Sequence, residues 1–194
     1  PGIKKNGIAA SRAKYPFYTK YQVDTVLIGT EVLLLEPEVK YRDEIIIDWY
    51  ENFEDPGISL DTTTSSHVGI TDSIANGSNV AKIELKGEFE DFKAESINNY
   101  TFPEPGSSLY FEMDYKCNHE FVVGLNIKTS GSLVNQPIML INPMYHWNKI
   151  YIDLSYISTI NFNADNYTVY FAVAKKDTVE RAEVLIDNIK LIHY

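Results

Sequence analysis

Apolar and polar positions alternate with a period of two along most of this chain, the spacing of strands with one dry and one wet face. In residues 109–117 the odd positions Leu109, Phe111, Met113, Tyr115 and Cys117 are apolar, and the even ones are mostly charged. Phe121, Val123, Leu125 and Ile127 repeat the pattern, with Gly124, Asn126 and Lys128 on the other face. Ile150, Ile152 and Leu154 form a third run, and Val169, Phe171 and Val173 a fourth. Ala81, Ile83 and Leu85 form a fifth, alternating with Lys82, Glu84 and Lys86. Turn residues separate the runs at Asn76-Gly77-Ser78, Pro103-Glu104-Pro105-Gly106-Ser107 and Thr129-Ser130-Gly131. The short link Asn118-His119 predicts a hairpin between 109–117 and 120–128, with His119 in a solvated turn. No window carries a clean helical stripe. The best, 91–98, alternates as well as it spirals. The pattern predicts an all-β, two-sheet antiparallel β-sandwich.

Near the end of the chain an apolar strand is interrupted by Asp187-Asn188. Val184 and Ile186 share one face, and Ile189 and Leu191 resume in the next phase. That break predicts a β-bulge that re-aims the Asp187 carboxylate. Its expected neighbour is the segment Asn52-Phe53-Glu54-Asp55-Pro56-Gly57, as first strand beside last, with Glu51, Glu54 and Asp55 as nearby carboxylates. Residues 1–45 read differently. Residues 1–20 are basic and punctuated by Pro and Gly, so they read as a loosely held tail, and 26–28 and 32–35 are β-like. About 45 residues is marginal for an independent fold without disulfides. They are expected to form an extension packed on a sandwich of residues 46–194, with Trp49, ahead of the first strand, stapling the two together.

Composition narrows the function classes. With 44% hydrophobic residues in a chain of 194, a sizeable core is available. The net charge of −10, with only Lys4-Lys5 and Lys175-Lys176 as basic pairs, argues against nucleic acid as a partner. The single cysteine, Cys117, follows Tyr115 in phase and reads as a buried thiol. No apolar run approaches the ~20 residues of a membrane-spanning helix. The 14 Tyr and 9 Phe, with abundant Asn, Ser and Thr, associate the chain with extracytoplasmic β-proteins: cell surface, periplasmic or secreted.

Tyr110, Tyr151 and Tyr170 fall on the wet phase of their strands. If those strands adjoin, the three rings form a concave tyrosine surface. Glu112, Asp114, Asn126 and Asp153 share that polar phase and would then be placed to bond hydroxyl groups of a ligand. The alternative is that these rings pack against the extension or a partner. Tyr145 and His146, read as loop residues, are further candidates for ligand contact. No catalytic residues are assigned. The histidines show no helical metal spacing, and there is no Gly-x-Ser-x-Gly elbow or Gly-rich phosphate loop. Glu112 and Asp114 on one strand face match the alternate carboxylates of a β-sandwich glycoside hydrolase, but Lys116 and Cys117 stand where a third acid would be needed, and the pair reads instead as a solvated acidic strand face.

Five segments in order carry a resemblance. They are Phe53-Glu54, Asn76-Gly77 before 80–85, Pro105-Gly106 before Leu109, Trp147-Asn148-Lys149-Ile150-Tyr151-Ile152-Asp153-Leu154, and Ile186-Asp187-Asn188-Ile189-Lys190-Leu191. Together they resemble the galactose-binding-domain-like jelly rolls, which include many carbohydrate-binding modules, and the overall pattern is similar to surface lipoproteins of gut Bacteroidetes. The resemblance implies a non-catalytic domain binding a polysaccharide or other glycan, with membrane contact only through a lipid anchor upstream. The alternative is a structural or protein-interaction domain of an envelope lipoprotein without sugar affinity. The resemblance also implies one structural Ca2+ tying first strand to last, with Glu54 and Asp187 at the matching positions, and Trp147 as a core residue at the sandwich rim. The competing reading of Asp187 is a carboxylate accepting backbone hydrogen bonds at the bulge, with Glu54 exposed.

Overall fold

The computed structural model describes residues 3–5, 8–10, 18–22, 25–28, 31–34, 38–41, 45–55, 57–61, 68–72, 79–87 and 91–193, with side chains from 45–55, 57–61, 79–87 and 91–193. Strands dominate. The first six are β1 (Ile3–Lys5), β2 (Ile8–Ala10), β3 (Tyr18–Gln22), β4 (Thr25–Ile28), β5 (Glu31–Leu34) and β6 (Glu38–Tyr41). They form three two-stranded pieces, β1-β2, β3-β6 and β4-β5, and β1 lies against β15 (Met144–Asp153).

The remaining strands build two antiparallel sheets. The six-stranded sheet runs β15, β12 (Leu109–Cys117), β17 (Arg181–His193), β10 (Asn79–Lys86), β9 (Val68–Asp72), with β7 (Ile46–Glu51) also paired to β17. The five-stranded sheet runs β14 (Ser132–Ile141), β13 (Phe121–Thr129), β16 (Asn166–Ala174), β11 (Asp91–Ser96), β8 (Leu60–Asp61). The strand 80–85 expected from the sequence lies within β10, while the Asn76-Gly77-Ser78 turn lies outside the described residues. The apolar phases of both sheets face each other. Phe111 and Phe171 meet at 6.0 Å between ring centroids, and Tyr115 meets Phe121 edge-on at 5.9 Å. Each fully buried side chain of this kind contributes about 1.5–3 kcal/mol.

The first and last sandwich strands are paired. Leu191 lies opposite Trp49, and Ile189 opposite Glu51. Along its length β17 keeps β12 on one flank. Its other flank is covered first by β10, through Ile186, and then by β7, from Ile189 onward. The bulge expected at Asp187-Asn188 stands at that change of partner, where the register with β12 slips between Glu112 and Asp114. Asn188 adopts φ 49°, a left-handed backbone that Asn tolerates better than most residues.

Three expectations are corrected. Asn118-His119 is not a hairpin turn, because β12 and β13 belong to different sheets. Alternation fixes which face is dry, but two dry faces are satisfied equally by pairing side by side or by facing across the core. His119 is accordingly buried, with Nδ1 2.9 Å from the Glu120 carbonyl oxygen. The hairpin is β13-β14, turned by Ser130 at φ 49° and Gly131 at φ 83°, the two positive angles of a primed turn. Second, Trp49 lies inside β7, which ends before Phe53. Its ring is buried, stacks on Tyr100 at 5.8 Å and donates to Ser59 Oγ at 2.8 Å. Third, one short helix, α1 (Ser155–Ile160), interrupts the strands. Its first turn is fixed by the Asp153 carboxylate, which accepts from the Ser155 N–H at 2.9 Å.

Candidate functional site

The outer face of the five-stranded sheet carries an ordered polar array. On β11 the residues Phe92, Ala94 and Ser96 turn inward, leaving Asp91, Lys93 and Glu95 outside. On β16 the inward set is Tyr167, Val169, Phe171 and Val173, leaving Thr168 and Tyr170 on the other face. Strand register then aligns Asp61, Glu95, Tyr170, Gly124 and Pro137 across five strands, with Thr168, Asn126 and Asn135 in the next row.

These side chains interlock. The Asn126 amide donates to Glu95 Oε2 at 2.6 Å and to Thr168 Oγ1 at 3.0 Å, and Thr168 Oγ1 donates to Glu95 at 3.2 Å. The Asn126 carbonyl accepts from the Asn135 amide and from Lys93 Nζ at 3.3 Å. Lys93 stands 4.6 Å over the Tyr170 ring and 3.7 Å from Glu95. The ring itself lies across Gly124, where even a Cβ would overlap it. A glycine is therefore required for a tyrosine to lie flat on the sheet at this point. Burial under these neighbours pushes the Tyr170 hydroxyl above its ordinary pKa.

Beside the array is a cavity of about 470 Å3 lined by Asp61, Glu95, Ser96, Ile97, Asn99 and Thr168. That volume lies within the ~300–1,000 Å3 of small-molecule sites. Its lining joins the carboxylates of Asp61 and Glu95, the Thr168 hydroxyl and the Asn99 amide around one exposed aliphatic side chain, Ile97. Such a surface binds neutral polar groups by directed hydrogen bonds. Asn126 and Tyr170 stood on the polar phase in the sequence; Lys93, Glu95, Asp61, Asn99, Thr168 and the role of Gly124 did not emerge. Alternation of Lys93 and Glu95 with Phe92 and Ala94 was the available signal.

The expected tyrosine surface is not assembled. Tyr110 and Tyr151 lie on adjacent strands of the six-stranded sheet, while Tyr170 is on the other sheet. All three are buried, at 7%, 1% and 5% exposure. The four polar partners are divided in the same way. Glu112, Asp114 and Asp153 share a sheet with Tyr110 and Tyr151, and only Asn126 lies with Tyr170. Tyr145 and His146 are exposed as expected, but stand on β15 rather than in a loop. Trp147, expected in the core, is half-buried on the same strand.

The Glu112–Asp114 face is not a solvated acidic strip. Glu112 is fully buried between Lys149 at 2.8 Å and Lys190 at 3.3 Å, and Lys149 also reaches Asp114 at 3.4 Å. Burial works against the charged Lys149, but Glu112 and Asp114 outweigh it and hold the ammonium above its ordinary pKa. Burial raises the Asp114 carboxyl, with Lys149 and Asn188 pulling the other way.

The two carboxylates expected at a calcium ion are engaged separately. Glu54 is exposed and accepts from the Asn79 N–H at 2.6 Å, tying the segment after β7 to the start of β10. Asp187 is buried and accepts from the Asn188 N–H at 2.7 Å, at the bulge. The inward carboxylate of the 51–55 segment is Glu51, which accepts from the N–H groups of Phe53 and Ser59 at 2.8 and 2.7 Å. Among the described residues, no three or more His, Cys, Asp or Glu are grouped to hold a metal. Glu54 and Asp187 are thus each held by donors of the protein, Asn79 and Asn188.

Neither a protein-family model nor a curated protein sequence matches the chain. Solved structures do. The chain is similar to the CBM22-2 xylan-binding domain of Paenibacillus barcinonensis Xyn10C, with 13% identity, 75% of this chain and 99% of that one covered, and a TM-score of 0.55. It is also similar to the family 11 carbohydrate-binding module of Clostridium thermocellum, with 14% identity, 76% and 94% coverage, and a TM-score of 0.50. The CBM22-1-GH10 modules of Clostridium thermocellum endo-1,4-beta-D-xylanase 10B match at 11% identity and a TM-score of 0.50, over 75% of this chain but only 28% of that one. At such identities the likeness establishes the fold, a two-sheet jelly-roll β-sandwich.

Proposed function

We propose that this chain is a non-catalytic glycan-binding domain, and that it binds on the outer face of the five-stranded sheet. The observation that carries the reading is the cavity of about 470 Å3, walled by the carboxylate, amide and hydroxyl groups of Asp61, Glu95, Asn99 and Thr168. Planar side chains held in a network present fixed acceptors and donors, the chemistry that orients adjacent sugar hydroxyls. The fold is shared with modules described as binding xylan and a beta-1,3-1,4-mixed-linked tetrasaccharide. A place outside the cytoplasm, at the cell surface or secreted, follows from the same reading, as does attachment, if any, through an upstream lipid anchor of the kind seen in Bacteroidetes lipoproteins.

A second reading, a structural or protein-interaction domain without sugar affinity, is favoured by the burial of Tyr110, Tyr151 and Tyr170. Calorimetric titration with soluble xylan and mixed-linked β-glucan separates the two. Heat of binding that Asn126→Ala removes supports the first reading. Absence of binding to a broad glycan array supports the second.

A further inference from the structure

Resting on the glycan-binding reading, we infer that the cavity selects uncharged glycans and rejects those carrying uronic acids. Both ionisable side chains of its lining are acids, Asp61 and Glu95, which lie opposite each other on β8 and β11. An ionised carboxylate only accepts hydrogen bonds. A sugar hydroxyl supplies a donor to it and gains a charge-assisted bond. A uronate carboxylate supplies only acceptors and a like charge.

The cations of this face do not reverse the balance. Lys93 stands outside the cavity lining and is engaged with Glu95, the Asn126 carbonyl and the Tyr170 ring. Lys128, exposed on β13, is likewise outside the lining. Asp91, on the Lys93 side of β11, adds another negative charge. The chain as a whole carries −10, so an approaching polyanion is also disfavoured at long range.

The test is calorimetric titration of the folded chain with paired probes: xylohexaose as the neutral ligand, and glucuronic-acid-substituted xylo-oligosaccharides and oligogalacturonate as the acidic ones. The expected result is that the neutral probe binds at least about tenfold more tightly at low salt, as unfavourable like-charge contacts discriminate between partners. Raising the salt to about 0.5 M narrows that gap by screening, and Asp61→Asn narrows it at low salt. The salt series needs no variant, so it stands even where a substitution disturbs the fold. Acidic probes that bind as well as or better than the neutral one overturn the inference and leave the glycan-binding reading intact. A gap that neither salt nor Asp61→Asn narrows also overturns it. Binding of no probe, with none on a broad array, removes both.

Discussion

The outer faces of the two sheets are written in the same alternating code and end in opposite physical states. On the six-stranded sheet the polar phase is closed at its centre, where Glu112 is fully buried between Lys149 and Lys190 with Tyr110 and Tyr151 covered beside them, and only its rim at Lys82 and Glu84 stays partly exposed. On the five-stranded sheet it borders an open cavity, whose lining residues Glu95 and Thr168 bond each other and the buried Asn126. A charged side chain on a strand's wet phase therefore does not identify a wet surface. What distinguishes the faces is the degree of charge pairing. A buried ion cluster needs compensation within itself, whereas an amide-carboxylate array can exchange internal bonds for bonds to a ligand.

The contrast can be broken most severely at Glu112. Glu112→Ala leaves two lysines beside a buried gap, and should cost about 3–5 kcal/mol in urea unfolding. Glu95→Gln on the open face should cost no more than about 1 kcal/mol. Next in size is Gly124→Ala, whose methyl group displaces the Tyr170 ring. Overpacking of this kind costs about 1–3 kcal/mol, and the near-ultraviolet tyrosine signal should change with it. Asn126→Ala should lower stability by about 1 kcal/mol but abolish measurable glycan binding by calorimetry.

The smallest effect concerns acid. On the rim of the six-stranded sheet, hydrogen bonds from Lys82 and Lys86 lower the Glu84 pKa from 4.5 to about 2. A depressed carboxylate stabilises the folded state above its ordinary value and loses that contribution as pH falls from 4.5 toward about 2. Buried Asp114 is shifted the other way, so its protonation favours folding. Melting temperatures followed down this pH range should fall less in Glu84→Gln than in the parent chain, and high salt should shrink the difference.

Much of the fold was legible because burial imposes period two on a strand. The five alternating runs became β10, β12, β13, β15 and β16, and the phase break at Asp187-Asn188 became the bulge. Pairing was less legible, since alternation reports a face and not a neighbour. Asn118-His119 therefore suggested a hairpin where the chain crosses between sheets. The site was harder still. Tyr170 and Asn126 could be placed on a polar phase, but Asp61 joins them only through the register β8–β11–β16, a long-range property that no local pattern encodes. Gly124 was seen only as a position on that phase, because its importance depends on the ring opposite it.

The placement of β17 bears on the order in which this molecule can be made. Residues 181–193 insert between β12 on one flank and β10 and β7 on the other. Until a ribosome has released them, three strands translated earlier wait with open backbone edges. Closure of the larger sheet thus waits for residues 181–193. A nascent chain stalled before Arg181 should present the adhesive strand borders that chaperones engage.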